Sequence, residues 1–220
     1  MPKAPDEPPV VHIVDDDDSL RQGLASLLRS VGVNARAYNS TQEFLQSDCL
    51  EASGCIVLDI RLPGMSGLDF QEQLAGLGIR LPAILMTGHG DIPMSVRAMK
   101  AGAVDFLTKP FREQEILDAV TAAIERDRKR RSEEKTLLDV RARFASLSPR
   151  ERQILALVTG GLMNKQVAGK IGISEKTVKI HRGSLMRKMR AKSLADLVLM
   201  AESLGVRGQE KDEQGGVDKS

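Results

Sequence analysis

Four short, nearly continuous apolar runs at residues 10–14, 55–58, 83–86 and 103–107 mark the first half of the chain, and helix-compatible segments separate them. Strands of a parallel sheet covered on both faces read this way, because neither side needs polar residues. A fifth, more alternating candidate strand spans residues 33–38. Strands that alternate with helices predict an open, doubly wound α/β fold, whose ligand crevice lies at the carboxyl ends of the strands. The runs end at or beside Asp15 and Asp16, Asp59, Thr87 and Lys109. In the flavodoxin-like order 2-1-3-4-5, the first and third of the five strands are neighbours, so Asp15 and Asp16 face Asp59.

Three carboxylates in one cluster repel unless a cation joins them. A hard divalent ion answers that repulsion, and Mg²⁺ suits it best, because it accepts few carboxylates and keeps waters for a phosphoryl oxygen. The expected ligands are Asp16 and Asp59, with Asp15 acting directly or through water. The backbone carbonyl of Arg61, two residues beyond Asp59, completes the shell. Asp59 is the candidate nucleophile. Lys109 supplies a fixed positive charge, worth roughly 4 kcal/mol per contact at about 4 Å in an effective dielectric of about 20. Thr87 offers a hydroxyl donor. The four aspartates at 15–18 also read as a solvated turn before a helix capped near Ser19. Against that stands a coincidence: an acid pair, an Asp, a Thr and a Lys-Pro all fall at one sheet edge.

Val14-Asp15-Asp16-Asp17, residues 58–67 (Leu58-Asp59-Ile60-Arg61-Leu62-Pro63-Gly64-Met65-Ser66-Gly67), Met86-Thr87-Gly88-His89-Gly90 and Asp105-Phe106-Leu107-Thr108-Lys109-Pro110 resemble the receiver domain of two-component response regulators. The resemblance covers residues 9–126. It implies that Asp59 takes phosphate from a sensor histidine kinase and that Thr87 and Lys109 read the phosphorylated state. It also implies a cis Lys109-Pro110 bond. The wording Thr87-Gly88-His89-Gly90-Asp91-Ile92-Pro93-Met94 is similar to the FixJ-like branch. Phe106 stands where that family has a switch aromatic; read by itself, a Phe in a strand is core. His89 and Arg61 flank the site as candidates for tuning phosphate lifetime.

Charge divides the chain. Residues 1–121 hold 10 Lys and Arg against 17 Asp and Glu, and residues 122–220 hold 22 against 13, giving −7 and +9. A basic half attached to an acidic one suits a nucleic-acid module on a regulatory domain. No stretch approaches the roughly 20 apolar residues of a membrane span. Residues 1–9 are charged and proline-rich rather than a signal peptide. Cys49 and Cys55 lack metal or redox spacing, and Cys55 reads as core. The expectation is a cytoplasmic protein without membrane contact.

Residues 125–135 are charged, without Gly or Pro, and carry Glu125 with Lys129 and Asp127 with Arg131 at four-residue spacing. That pattern predicts a solvent-exposed helical linker over residues 127–143, continuing the last receiver helix, with a solvated basic face. Residues 208–220 are polar and expected to be disordered.

The C-terminal part, residues 144–207, opens on Ser148-Pro149-Arg150-Glu151, a capping box with proline at the first helical position. That helix ends at Gly160 and Gly161. A second, capped by Asn164, stops at Gly172. Ser174 caps a third, residues 175–190, and Ser193 with Asp196 starts a fourth ending near Gly205. The Gly172-Ile173-Ser174 turn makes a helix-turn-helix within a small all-α domain. On the third helix Val178, Leu185 and Met189 form an apolar stripe flanked by His181 and Arg182. The opposite face carries Lys176, Ile180, Gly183 and Arg187, with Thr177 and Lys179 beside it, chemistry suited to a major groove. Asn164 and Lys165 are expected at phosphates, and His181 in packing.

Leu147-Ser148-Pro149-Arg150-Glu151, Asn164-Lys165-Gln166-Val167-Ala168 and residues 173–182 closely resemble the LuxR-type DNA-binding domain. The resemblance implies that the third helix reads promoter bases and the fourth aids dimerisation, although some relatives carry a basic residue where this chain has Gly183. Together the two resemblances imply a transcription factor that forms a homodimer when phosphorylated, on double-stranded promoter DNA, with RNA polymerase as a further partner. It would be a phosphoacceptor catalysing its own phosphorylation and dephosphorylation rather than an enzyme.

Two other classes fail on particular residues. A phosphohydrolase with an aspartyl-phosphate intermediate would place a second Asp as general acid where Arg61 stands. A nucleotide site through Gly88-His89-Gly90 needs glycine at Pro93, and the chain has no Gly-Lys-Ser or Gly-Lys-Thr loop.

Overall fold

The computed structural model describes residues 8–47, 53–88 and 92–206. The chain forms two compact units, Met1–Arg131 and Ser132–Ser220.

In the first unit, β1 (Val10–Val14), β2 (Asn34–Tyr38), β3 (Gly54–Asp59), β4 (Ala83–Thr87) and β5 (Asp105–Thr108) form one parallel sheet ordered β2-β1-β3-β4-β5. The doubly wound fold read from the apolar runs is what the chain adopts. All six residues of β3 are buried, and they alternate between two cores as strand geometry requires. Ile56 and Leu58 face Phe44, Phe70, Leu74 and Ala98 from α2 (Thr41–Leu45), α3 (Gly67–Leu74) and α4 (Ile92–Lys100). Cys55 and Val57 face Leu24, Leu28, Ile116 and Val120 from α1 (Asp18–Ser30) and α5 (Glu113–Ala145).

Strand ends shift by a residue or two from the sequence reading, and two differences have a clear physical reason. Asp17, not Ser19, caps α1; its carboxylate accepts from the N–H groups of Ser19 and Leu20 at 2.9 and 3.1 Å. β5 starts at Asp105 instead of residue 103, because Gly102 (φ 90°) and the Ala103 N–H to Ala98 carbonyl bond still terminate α4. Among the buried polar residues, one lies inside the sheet itself, in mid-strand. His12 of β1 is fully buried, bonded through Nδ1 to the Tyr38 hydroxyl at 3.0 Å and edge-on to Phe44. Burial, aided by the charge of Arg36, lowers its pKa to about 4, so the imidazole stays neutral.

α5 runs unbroken through the division at Arg131, and the expected pair of Asp127 with Arg131 forms, but not as a solvated one. Asp127 is fully buried. Its carboxylate accepts from the Gly54 N–H at 3.0 Å and the Ser53 hydroxyl at 3.4 Å, with Arg130 at 2.5 Å and Arg131 at 2.8 Å. The start of β3 explains why. Gly54 has φ 136°, and a Cβ there would lie 1.9 Å from the Val10 carbonyl oxygen, so only glycine fits. The Gly54 N–H at this crowded edge is buried and takes its acceptor from the helix. The spacing of charges on α5 revealed the Arg131 partner but not the backbone one.

The second unit holds α6 (Pro149–Thr159), α7 (Asn164–Ile171), α8 (Glu175–Met189) and α9 (Leu194–Ser203). Its core joins Ile154, Leu155, Val158, Val167, Val178, Leu185, Met189 and Leu197 to Val140. The Ser148 capping box, the left-handed Gly172 (φ 69°), the Ser174 cap and the Ser193 cap all stand where the sequence put them. Asn164 does not cap α7. Met163 occupies that position, its N–H donating to Gln166 at 2.8 Å, and Asn164 is the first helical residue. With the N–H already served, the Asn164 amide oxygen instead accepts from Arg182 of α8 at 2.9 Å.

Removing the Asp127 carboxylate leaves the buried Gly54 N–H without its acceptor, at a cost of roughly 1–3 kcal/mol. Asp127→Ala is therefore expected to lower the denaturant midpoint of the first unit by that amount in urea unfolding, whereas Asp118→Ala on the exposed face of α5 changes it little.

Candidate functional site

Parallel pairing of β1 with β3 aligns Val14 with Leu58, so the next residue of each strand places Asp15 beside Asp59. One carboxylate oxygen from each of Asp15, Asp16 and Asp59 lies within 4.8 Å of the others. Asp15 and Asp59 are buried, and Asp16 is exposed. The run of four aspartates divides into separate tasks. Asp15 accepts from Lys109 Nζ at 2.7 Å, Asp16 is left at the rim, Asp17 caps α1, and Asp18 pairs with Arg21 at 2.6 Å.

Lys109 reaches this edge from the end of β5. Its backbone N–H donates to the Thr87 carbonyl at 2.7 Å, and its ammonium lies 2.7 Å from Asp15 and 3.1 Å from Asp59. The Lys109-Pro110 bond is cis. Thr87, the last residue of β4, is fully buried. Gly67 opens α3 under Asp59, where a Cβ would come within 2.1 Å of the Asp59 carbonyl oxygen. Sequence reading placed Gly67 in a motif without seeing this close approach.

The electrostatics show an unfilled demand for positive charge. Burial pushes the Asp59 carboxyl above its ordinary range; Lys109 pulls against that, and Asp15 and Asp16 add repulsion. Burial weakens the Lys109 ammonium too, but Asp15 and Asp59 reverse the effect and raise its pKa. The two directions are compatible, because one ammonium shared between two carboxylates satisfies itself without neutralising both. Three carboxylates converging around such a deficit fit a cation in charge, in reach and in donor type.

Other predicted residues fall around this centre. Arg61 is exposed on the loop after β3. Phe106 of β5 is half-buried, aligned with Leu85 and packed on the edge of the core that includes Phe44 and Phe70. His89 and Cys49 lie outside the described residues.

In the second unit, α8 buries the stripe Val178, Leu185 and Met189 as the helical wheel requires. Lys176, Lys179, Ile180, Gly183 and Arg187 are exposed on it, with Ile180 at 64%. Thr177 is half-buried with its hydroxyl 2.8 Å from Ser174, and Lys179 pairs with Glu175 at 3.1 Å. Lys165 is exposed on α7, and His181 is half-buried. Arg182 is held by Asn164, so these two predicted contacts also join the helices of the turn. Beyond the Ser148 capping box, the network beneath them carries no local sequence signal: buried Glu151 of α6 accepts from Lys188 at 2.7 Å, Ser184 at 2.7 Å and the Ser148 N–H at 2.8 Å. Burial alone would raise its pKa, but Lys188, Ser148 and Ser184 bring it down to about 2. Among the described residues no helix is long and apolar enough to cross a membrane.

Comparison with known proteins agrees with both halves. Residues 11–121 match the response regulator receiver domain, and residues 145–201 match the bacterial regulatory proteins of the luxR family. The chain is 58% identical over 197 residues to Nodulation protein W of Bradyrhizobium diazoefficiens, covering 90% of this chain and 87% of that one. It is 45% identical over 196 residues to Transcriptional regulatory protein FixJ of Azorhizobium caulinodans, covering 89% and 93%. Among solved structures, the response regulator StyR is similar with a TM-score of 0.79 at 48% identity, covering 89% of this chain and 99% of that one.

The Glu151 network gives a pH dependence with a definite sign. A carboxyl held at about 2, against 4.5 when unfolded, stabilises the second unit fully above pH 4.5, and that contribution is lost as pH falls toward 2. Glu151→Gln is expected to cost roughly 1–3 kcal/mol at pH 7. Denaturant titrations should show the gap between variant and parent narrowing as the pH is lowered from 5 toward 2.

Proposed function

Because the chain belongs to the two-component response regulators that join a receiver domain to a LuxR-type DNA-binding domain, we propose that Asp59 is the phosphoacceptor through which a sensor histidine kinase controls promoter binding. The observation that carries this is the convergence of Asp15, Asp16 and Asp59 with Lys109 at the strand ends. The receiver role falls to residues 9–126, the linker role to 127–143 and the DNA-binding role to 144–207. The expected tail at 208–220 lies outside the described residues. The working compartment is the cytoplasm.

Mg²⁺ would be held by Asp16, Asp59 and the Arg61 carbonyl, with Asp15 in support, and would supply positive charge against the phosphoryl group. A carboxylate oxygen of Asp59 attacks the phosphorus of the kinase phosphohistidine. The P–O bond forms as the P–N bond breaks, and the imidazole leaves with its electron pair. Lys109, already 3.1 Å from Asp59, meets one phosphoryl oxygen, and the Thr87 hydroxyl donates to another. Hydrolysis by water at the same place returns Asp59 and makes the domain its own timer, without turnover of an outside substrate.

Drawing Thr87 toward the phosphoryl group vacates volume that Phe106 enters, which alters the surface of residues 94–107. Two copies meeting through that surface form a C2 homodimer. Their α8 helices then lie about one DNA turn apart, roughly 34–36 Å, over a partly palindromic site on double-stranded DNA. Lys176, Thr177, Lys179, Ile180, Arg182, Gly183 and Arg187 provide the base-reading face, while Asn164 and Lys165 fix orientation at phosphates. RNA polymerase is the further partner at the promoter.

Sedimentation velocity with a small phosphodonor should show a monomer-to-dimer shift in the parent chain and none in Asp59→Asn; an identical shift in both would refute the assignment. An ion bound only by the folded chain adds about 2.7 kcal/mol at 100 times its dissociation constant. Mg²⁺ should therefore raise the calorimetric midpoint of the first unit, a chelator should reverse it, and Asp16→Asn should lose most of the gain.

A further inference from the structure

Every polar atom of Asp15 is engaged within the chain. Its N–H donates to the Tyr38 carbonyl at 3.2 Å, and its two carboxylate oxygens accept from the Asp17 N–H at 2.9 Å and from Lys109 at 2.7 Å. That leaves its carbonyl, one residue past the end of β1. Asp16 follows immediately, so the orientation of the Asp15 to Asp16 peptide plane sets where the Asp16 carboxylate points. The carbonyl accepts from Arg21 Nη1 at 2.6 Å. The other arm of that guanidinium, Nη2, bonds Asp18 at 2.6 Å.

We propose that Arg21 is a positioning residue for the cation site, its guanidinium fork clamping the Asp15 carbonyl so that Asp16 is presented toward the ion. This rests on the reading of Asp16 as an ion ligand. The planar fork suits the task because it serves two acceptors in a fixed relation, which a point-charge ammonium does not. The Asp18 arm is an anchor rather than a source of stability: Asp18 is 66% exposed, and exposed pairs are worth little. Arg21 itself is only 13% exposed, and its bond to the Asp15 carbonyl is part-buried. The arrangement also turns the run of four aspartates into a working turn: Asp17 caps α1, α1 delivers Arg21 about one turn further on, and Arg21 returns to fix the peptide that bears Asp16.

Groups that orient metal ligands from behind typically alter affinity 10–100-fold when removed. Mg²⁺ titrated against the full chain, read as the thermal midpoint of the first unit, should give a dissociation constant raised about tenfold or more in Arg21→Ala. Arg21→Lys should recover part of the affinity, and Gln22→Ala, which loses only a bond to Asp18, should match the parent. At saturating Mg²⁺ the rate of phosphorylation by phosphoramidate should return toward the parent value in Arg21→Ala. A lowered midpoint without ion but an unchanged Mg²⁺ dissociation constant would overturn the proposal, since Arg21 would then only stabilise the fold. Should Arg21→Ala fail to fold, Arg21→Lys decides the same question: parent-like affinity overturns the clamp. Asp16→Asn separates the two claims. If it keeps the Mg²⁺ response, the ion reading fails; if it loses the response while Arg21→Ala keeps it, only the clamp fails.

Discussion

An excess of negative charge at one edge of the sheet governs the first unit. Asp15 and Asp59 are buried side by side because β1 and β3 are hydrogen-bonded neighbours, and Asp16 adds a third carboxylate at the rim. Lys109 answers part of this charge and is itself pinned to the end of β4 through the Thr87 carbonyl. A packed apolar core gives the carboxylates nowhere to retreat, so the edge holds a demand for positive charge of the kind a divalent ion meets.

The remainder of the unit keeps that edge in place. β3 is buried along its whole length, with glycine at both approaches: Gly54 passes Val10 at its start, and Gly67 passes the Asp59 carbonyl beyond its end. Asp127 ties the start of β3 to α5. The strand bearing Asp59 is thus fixed from both ends. Beside it, fully buried Thr87 ends β4 and half-buried Phe106 lies on β5. In the second unit Glu151 plays a comparable part, gathering Ser148, Ser184 and Lys188 so that α8 is held against α6 while its outer face stays open.

The sheet, its order and the strand-end residues were legible because each depends on local pattern: short apolar runs, the residue that closes each one, and the caps at Ser148, Ser174 and Ser193. Long-range partners were not. Asp127 reaches Gly54 across 73 residues of sequence, and Glu151 reaches Lys188 across 37, and a charged residue on a helix carries no mark of whether its partner is water or a distant backbone. The same blindness assigned Asp127 to solvent. Asn164 and Ser19 show a different failure. Both are good capping types, but a neighbour with an equally suitable position, Met163 backed by Gln166 or Asp17, took the role. Arg21 was passed over because its partner is a carbonyl, which no side-chain pattern records.

Reduction of an acyl phosphate by borohydride converts the aspartyl side chain to an alcohol that survives peptide sequencing by mass spectrometry, which makes it the most direct measurement. After exposure of the full chain to phosphoramidate and Mg²⁺, the reduced residue should be found at position 59, and its yield should fall to background when a chelator replaces the ion. Reduction at another carboxylate, or at position 59 to the same extent without a divalent ion, would contradict the account.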